Sequence, residues 1–522
     1  MRHLNRATLA QLPAGVQRPA YDTDAITTGI VHLGLGNFHR AHQAVYTDAV
    51  LAKDSRWGIC GVSMKSRGVV DALRAQDGLF TVVVKDAAGA RPSVIGSVRE
   101  TLCGADDMAQ VIARMAAPAT RIVSLTITEK GYCHDPASNR LNFAHPDIAH
   151  DVASGFATGG APRSALGAIL QALHARKALA PRVWGRLTIL SCDNLPHNGR
   201  TLEGLMHELA EAIDPALSPW MRDHVTFPST MVDRIVPATT AQDSADTEAL
   251  IGAHDAAPVM TEPFIQWVIE DRFAAGRPAW EDASPGAASG AGAAGGARSG
   301  GAQFVTDVAP FELMKLRLLN AAHSAMAYLG YLAGHEFIYQ ASADPLFAAL
   351  IERLWREVAP TLPPLPIDVQ QYQRELMQRF RNTALPHRTW QIAMDGSQKL
   401  PQRILHTVRD CLTLRAAGQS AVPIDTLALV VAGWMRYVSG ADERGKAIEV
   451  RDPLSEELAR IATGTRGAPA ALCERLLGLR AIFGQDLPRA EGFTGKVQGH
   501  LESLFVHGTS ATLANSLAGA NQ

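Results

Sequence analysis

"IVHLGLGNFHRAH", residues 30–42, decides the fold. A run of β-branched and apolar residues ends in Gly34-Leu35-Gly36, and helix-compatible residues follow. This is the strand–turn–helix order that opens a dinucleotide-binding unit. Glycine at 34 permits the tight turn, and glycine at 36 lets the backbone approach a pyrophosphate at the helix start. His39 stands where a third glycine would complete the motif. A purely structural turn could carry the shortened pattern, but its place at the first strong strand-to-helix junction favours a nucleotide loop.

Further along the N-terminal half, "WGICGVS", "LFTVVVK", "RIVSLTIT" and "RLTILSC" have the length and β-branched content of strands. Several are apolar enough for a sheet covered on both faces. Alternation with helical segments predicts an α/β, doubly wound, Rossmann-like domain. After residue 303 the pattern changes. "FELMKLRLLNAAHSAMAYLGYLAG", "DPLFAALIERLWREVAP", "QQYQRELMQRFRN", "DTLALVVAGWMRYVSG" and "LSEELARIATG" have helical length and spacing, with proline-rich turns between them. The expected organisation is a nucleotide-binding domain over 1–303 and a mostly α-helical substrate domain over 304–522. Residues 282–302, "DASPGAASGAGAAGGARSGGA", are nearly all Gly, Ala and Ser, so they read as a flexible surface insertion.

Hydrophobic residues make up 47% of the chain and charged residues 19%, an ordinary globular balance. Basic and acidic residues number 49 and 51, so no global field recruits nucleic acid or an anionic membrane. A small-molecule partner is expected, and a monomer is compatible with these features. The six cysteines show neither C-x-x-C nor metal-ligand spacing, and no run is long enough to span a bilayer. These features predict a soluble, cytoplasmic protein without a metal. His39 and His42 lack an acidic or cysteine partner at ligand spacing. Cys133 and Cys192 lack a nucleophile's local signature, and Trp267, Trp390 and Trp434 read as core.

One helix carries unexpected polarity. In "APFELMKLRLLNAAHS", residues 309–324, the side chains of Glu312, Lys315, Asn320 and His323 share one face. With Glu312 at 0°, steps of about 100° put Lys315 near about −60°, His323 near about 20° and Asn320 near about 80°. Leu316 and Leu319 fall in the same arc, so this is no plain water-facing stripe. A lysine withdrawn from water can act as a general base; alternatively, Lys315 snorkels to solvent.

Taken with "FHRAH", "SCDN" at 191–194, "FPSTMVDRIVP" at 227–237 and the spacing Lys315-x4-Asn320-x2-His323, the chain resembles the mannitol dehydrogenase family of metal-independent polyol dehydrogenases. The likeness runs from residue 20 to about residue 490. Within the family it is nearer the fructuronate reductase branch, through "VSLTITEKGYC", "MTEPFIQWVIEDRFAAGRPAWE" and "HRTWQIAMDGSQKLPQR". The resemblance implies NAD as cofactor, with the loop residues Gly34, Gly36, Asn37, Phe38, His39 and Arg40 beside it. It implies Lys315 as general acid/base, Asn194 and Asn320 as amides on the reacting oxygen, and His323 as a substrate-positioning group. Asp233, Glu312 and Lys399 match other polar substrate-site positions, although Glu312 three residues from a lysine is also an ordinary helix pair.

The mannitol-oxidising branch carries an arginine where this chain has Gln391. Lys130, Arg388 and His387 could supply positive charge for a substrate carboxylate, and Lys130 could equally pair with Glu129 or Glu262. The expected reaction is interconversion of D-mannonate and D-fructuronate. Alternatives are a mannitol- or D-arabinitol-type polyol 2-dehydrogenase and a tagaturonate/altronate enzyme. Lys65 and Arg67 stand where an acid would meet the adenosine ribose, which leaves NAD against NADP open on residue chemistry; the resemblance favours NAD. A non-catalytic, nucleotide-responsive scaffold would have lost Lys315 or Asn194, and both are present.

Overall fold

A computed structural model describes residues 2–135, 138–156, 160–178, 185–284, 300–418 and 422–518. The chain divides into two compact units, Met1–Ala309 and Pro310–Gln522. Residues 285–299, most of the glycine-alanine insertion, lie outside the described residues.

In the first unit, six strands form one parallel sheet. They are β1 (Thr28–Leu33), β2 (Gly58–Ser63), β3 (Val98–Cys103), β4 (Ile122–Leu125), β5 (Leu187–Ser191) and β6 (Val225–Thr226). Their spatial order is β6-β5-β4-β1-β2-β3, the order of a doubly wound dinucleotide-binding sheet. The order reverses between β1 and β4, so the loops leaving their C-terminal ends flank the switch point.

Strand periodicity explains why these runs are apolar throughout. Val31, Leu33, Val123, Leu125, Leu187 and Ile189 enter one core, against helices Ala165–Lys177 and Asn198–Ile213. Ile30, Ile59, Ile122 and Leu190 enter the other, with Trp57, Trp267 and Trp280. That second face is covered partly by a small sheet of Thr230–Asp233, Gln266–Glu270 and Gln303–Val305. The "LFTVVVK" run is a strand, Phe80–Asp86, but it pairs with Gly89–Ile95 and Val259–Thr261 in a separate sheet.

The second unit is helical, as its patterning predicts. Asp425–Val438 is buried at every position from Thr426 to Val438, and Ala321–Leu332 at all but one, so both are central helices. The wholly buried Glu357, on Pro345–Val358, accepts hydrogen bonds from the backbone N–H groups of Thr426 (2.8 Å) and Leu427 (3.0 Å). A carboxylate from a neighbouring helix thus satisfies the first-turn donors of Asp425–Val438.

Trp267 and Trp434 are core residues, whereas Trp390 is half-buried beneath the Arg451 guanidinium. All six cysteines are buried and none forms a disulfide. Among the described residues no helix is long and apolar enough to cross a membrane.

Candidate active site

The glycine loop leaves β1 at the switch point, and its two glycines serve different ends. Gly34 has φ +102°, and a Cβ there would lie 2.0 Å from the carbonyl oxygen of Thr126, at the end of β4. Only glycine lets the two strand ends close together. Gly36 is exposed, and a Cβ there would meet nothing nearer than the Gly34 oxygen at 3.9 Å. Its bare face is open to a ligand. Asn37 and Phe38 are partly exposed beside it.

The side chains of His39 and Arg40 lie beneath this surface. His39 is 1% exposed and stacks on His32 of β1, ring centroids 3.4 Å apart. His32 hydrogen-bonds with Ser124 Oγ and Thr126 Oγ1, each at 2.8 Å, and burial pushes it down to about 3. His39 likewise sits well below the ordinary histidine range, chiefly through burial. A bulky side chain at the third glycine's position is accommodated because it packs inward on a neutral imidazole. Arg40 is 4% exposed and donates to the Ala257 carbonyl and, at 2.6 Å, to Asn37 Oδ1, so it braces the loop from below.

At the same sheet edge, β5 runs into Asp193 and the exposed Asn194. Asp193 accepts from the backbone N–H of Ile127 (3.0 Å) and Thr128 (2.9 Å) and from the Tyr132 hydroxyl (2.8 Å). Burial pushes its carboxyl up to about 6, against these hydrogen bonds. Thr128 has φ +63°, a strained conformation for a branched residue that the Asp193 bond helps to hold. Asn198 Nδ2 donates to the Asp193 carbonyl (3.0 Å) and the Thr230 carbonyl (2.8 Å), joining this loop to the strand that ends at the buried Asp233. Asp193, Tyr132 and Asn198 went unnoticed in the sequence; the acid beside Asn194 in "SCDN" was the available signal. Lys130 is exposed, with no ion pair to Glu129 or Glu262 among the described residues. Arg67, near the end of β2, faces Asp106 (3.0 Å) and Asp71 (3.5 Å).

In the helical unit, Lys315, Asn320 and His323 are 7%, 9% and 7% exposed, and Glu312 is half-buried. Lys315–Asn320 forms a π-helical turn inside Ala309–Leu332, with the Ala321 N–H donating to the Leu316 carbonyl five residues back. The 100° step therefore fails across this segment. A wider turn advances less per residue, so Asn320 and His323 lag their α-helical phase. Tertiary bonds anchor the widening: Trp355 Nε1 donates to the Leu318 carbonyl (3.0 Å), and Arg317 donates to the Thr361 carbonyl (2.6 Å) and pairs with Asp410. A second π-helical turn, Pro401–Leu405, packs against the first.

His323 meets His387 edge-to-face, centroids 5.5 Å apart, and lies 4.9 Å from the Phe380 ring. Burial, then His387 and the cations Arg403, Arg379 and Lys315, holds His323 well below its usual range. Burial, then Lys399 and Arg403, pushes His387 down to about 4. His387 is thus neutral at pH 7 rather than the cationic group expected. Lys399 donates to the carbonyls of Met394 (2.6 Å) and Ile392 (3.3 Å). Arg388 is not brought to this cluster: its guanidinium is exposed, pairs with Glu336 and lies over Phe337. Arg379 and Arg403, which the sequence reading did not single out, act on the imidazoles instead. Among the described residues no group of three His, Cys, Asp or Glu side chains could hold a metal.

Two family models match this chain: the mannitol dehydrogenase Rossmann domain over residues 28–282 and the mannitol dehydrogenase C-terminal domain over residues 307–505. The D-mannonate oxidoreductase of Escherichia coli (strain K12) is 44% identical over 506 residues, 96% of this chain and 98% of that protein. A mannitol 2-dehydrogenase of Pyricularia oryzae is 36% identical, over 97% of this chain and 96% of that protein. The solved Pseudomonas fluorescens mannitol 2-dehydrogenase, a ternary complex with NAD and D-mannitol, has 37% identity and a TM-score of 0.86, covering 99% of both chains. The chain belongs to the mannitol dehydrogenase family of oxidoreductases.

Proposed function

We propose that this oxidoreductase interconverts D-mannonate and D-fructuronate with NAD, using Lys315 as general acid/base. The observation that carries the substrate is the setting of His323 and His387, two neutral imidazoles on which the strongest side-chain charges are cationic. A cationic field suits the carboxylate that a sugar acid carries and a polyol lacks. The likeness to the D-mannonate oxidoreductase supports the same reading.

The residues at the glycine loop fit NAD. Gly36 offers a bare, exposed face at the switch point, with Asn37 and Phe38 beside it. Arg67 already faces two carboxylates, which counts against a 2′-phosphate and for NAD over NADP. Bound NAD supplies the hydride acceptor for alcohol oxidation and, reduced, the donor for the ketone. Lys315 takes the hydroxyl proton as the alcohol is oxidised and returns it on reduction. The carboxamides of Asn194 and Asn320 donate to the reacting oxygen, where negative charge develops. Neutral His323 hydrogen-bonds a substrate hydroxyl, while Asp193 holds the loop that presents Asn194. Asp233, Glu312, Lys399 and Lys130 remain substrate-side groups in this reading.

The test is NADH oxidation by the purified chain with D-fructuronate, D-tagaturonate and D-fructose in parallel. The highest kcat/KM is expected for fructuronate; preference for fructose overturns the sugar-acid reading.

A further inference from the structure

Two buried ring nitrogens of the helical unit, His323 Nε2 and His387 Nδ1, meet no hydrogen-bond partner among the described residues. Leaving such groups unmet costs stability, and a bound polar ligand would offset that cost. Each neutral ring offers one N–H and one lone pair. They can therefore serve a ligand that carries both acceptor oxygens and hydroxyls.

The neighbouring cation narrows the ligand. Arg403 lies on the π-helical turn Pro401–Leu405 and is partly exposed. Its Nη1 donates to Ser324 Oγ at 3.3 Å, which fixes the guanidinium next to the residue that follows His323. Lys399, one turn earlier, has its ammonium held by two main-chain carbonyls, so it contributes charge from a set position. Arg388 is turned away to Glu336. A planar guanidinium beside two neutral imidazoles matches a carboxylate flanked by a hydroxyl, which is the acid end of an aldonate.

We propose that Arg403 is a specificity-determining residue that receives the substrate carboxylate, with His387 hydrogen-bonding the adjoining oxygen. This rests on the sugar-acid reading of the site. It assigns the acid end to a residue one turn beyond Lys399.

The experiment measures kcat/KM for D-fructuronate and D-fructose in the wild type and in Arg403→Gln, Arg403→Lys and His387→Ala. A lost charge-assisted contact corresponds to a rise in fructuronate KM of roughly 10- to 100-fold. In Arg403→Gln the fructuronate-to-fructose ratio is expected to fall by about that factor, and Arg403→Lys to recover part of it because charge returns without the fork. NADH affinity, read by fluorescence titration, reports folding. Should Arg403→Gln not fold, His387→Ala decides, with a smaller fall in the same ratio expected. Equal losses on both sugars, or a ratio that stays at the wild-type value, overturn the assignment. A wild type that turns over fructose and no sugar acid overturns the underlying substrate reading instead.

Discussion

Gly34 and Gly36 look equivalent in the sequence, and their alanine variants should fail in opposite ways. At Gly34 an alanine would take φ +102° with its Cβ 2.0 Å from the Thr126 oxygen and 2.6 Å from its carbonyl carbon. The backbone conformation costs about 1–3 kcal/mol, and forcing the strand ends apart adds about 1–3 kcal/mol of overpacking. The sum is about 2–6 kcal/mol, a large share of an ordinary domain's stability of about 5–15 kcal/mol. At Gly36 the backbone has φ −90° and the nearest atom to a new Cβ is 3.9 Å away. Stability should therefore change by no more than about 0.5 kcal/mol, while the methyl group occupies the space in which a pyrophosphate approaches the backbone. Urea unfolding followed by circular dichroism, and NADH titration followed by tryptophan fluorescence, separate the two effects. Gly34→Ala should lower the unfolding midpoint sharply; Gly36→Ala should keep it and weaken NADH binding by about tenfold or more. A Gly36→Ala protein that is stable and binds NADH as tightly as the wild type would refute the assignment of that bare face to the cofactor. A Gly34→Ala protein of unchanged midpoint would refute the clash.

Lys315→Ala should retain NADH binding and lose turnover by about 10²- to 10⁴-fold, the usual worth of a positioned acid/base; single-turnover kinetics would check it, and undiminished turnover would exclude the mechanism. Asp193 gives a pH signature. Its folded pKa of about 6 exceeds the ordinary 3.8, so the folded state binds the proton more tightly than the unfolded chain. Stability from this group is greatest below about pH 4 and declines as pH rises to about 6, by at most about 3 kcal/mol. Asp193→Asn should flatten that decline in urea titrations at several pH values, and parallel curves for the two proteins would contradict it. Glu357→Ala strips the acceptor from two buried N–H groups and should cost about 2–5 kcal/mol, again by urea unfolding; a loss below about 1 kcal/mol would show that other groups satisfy those donors.

What the sequence disclosed was whatever acts locally. Strands β1, β4 and β5 were legible because burial on both faces demands unbroken apolar runs, while β3 escaped notice because "VRETLC" carries Arg99 and Glu100 at partly exposed positions. The glycine pair declared a turn through spacing alone. The π-helical turn around Lys315 has no such mark: its residues suit an α-helix, and the widening is anchored by Trp355, Thr361 and Asp410, dozens of residues away. The same reason hid Asp193, whose partners Ile127, Thr128 and Tyr132 belong to the loop after another strand. It also explains the substitution of Arg403 for Arg388. Next to His387 in the chain, Arg388 invites pairing with it, yet the extended backbone there turns it outward to Glu336. Arg403 bonds Ser324, the residue after His323, from a π-helical turn that packs against the one around Lys315. A polar residue's neighbour in sequence shares its strand or helix; the partner that sets its chemistry is chosen by packing. The glycine turn could therefore be read from spacing, and the lysine's role came from the family resemblance, while the charges around the imidazoles required the fold.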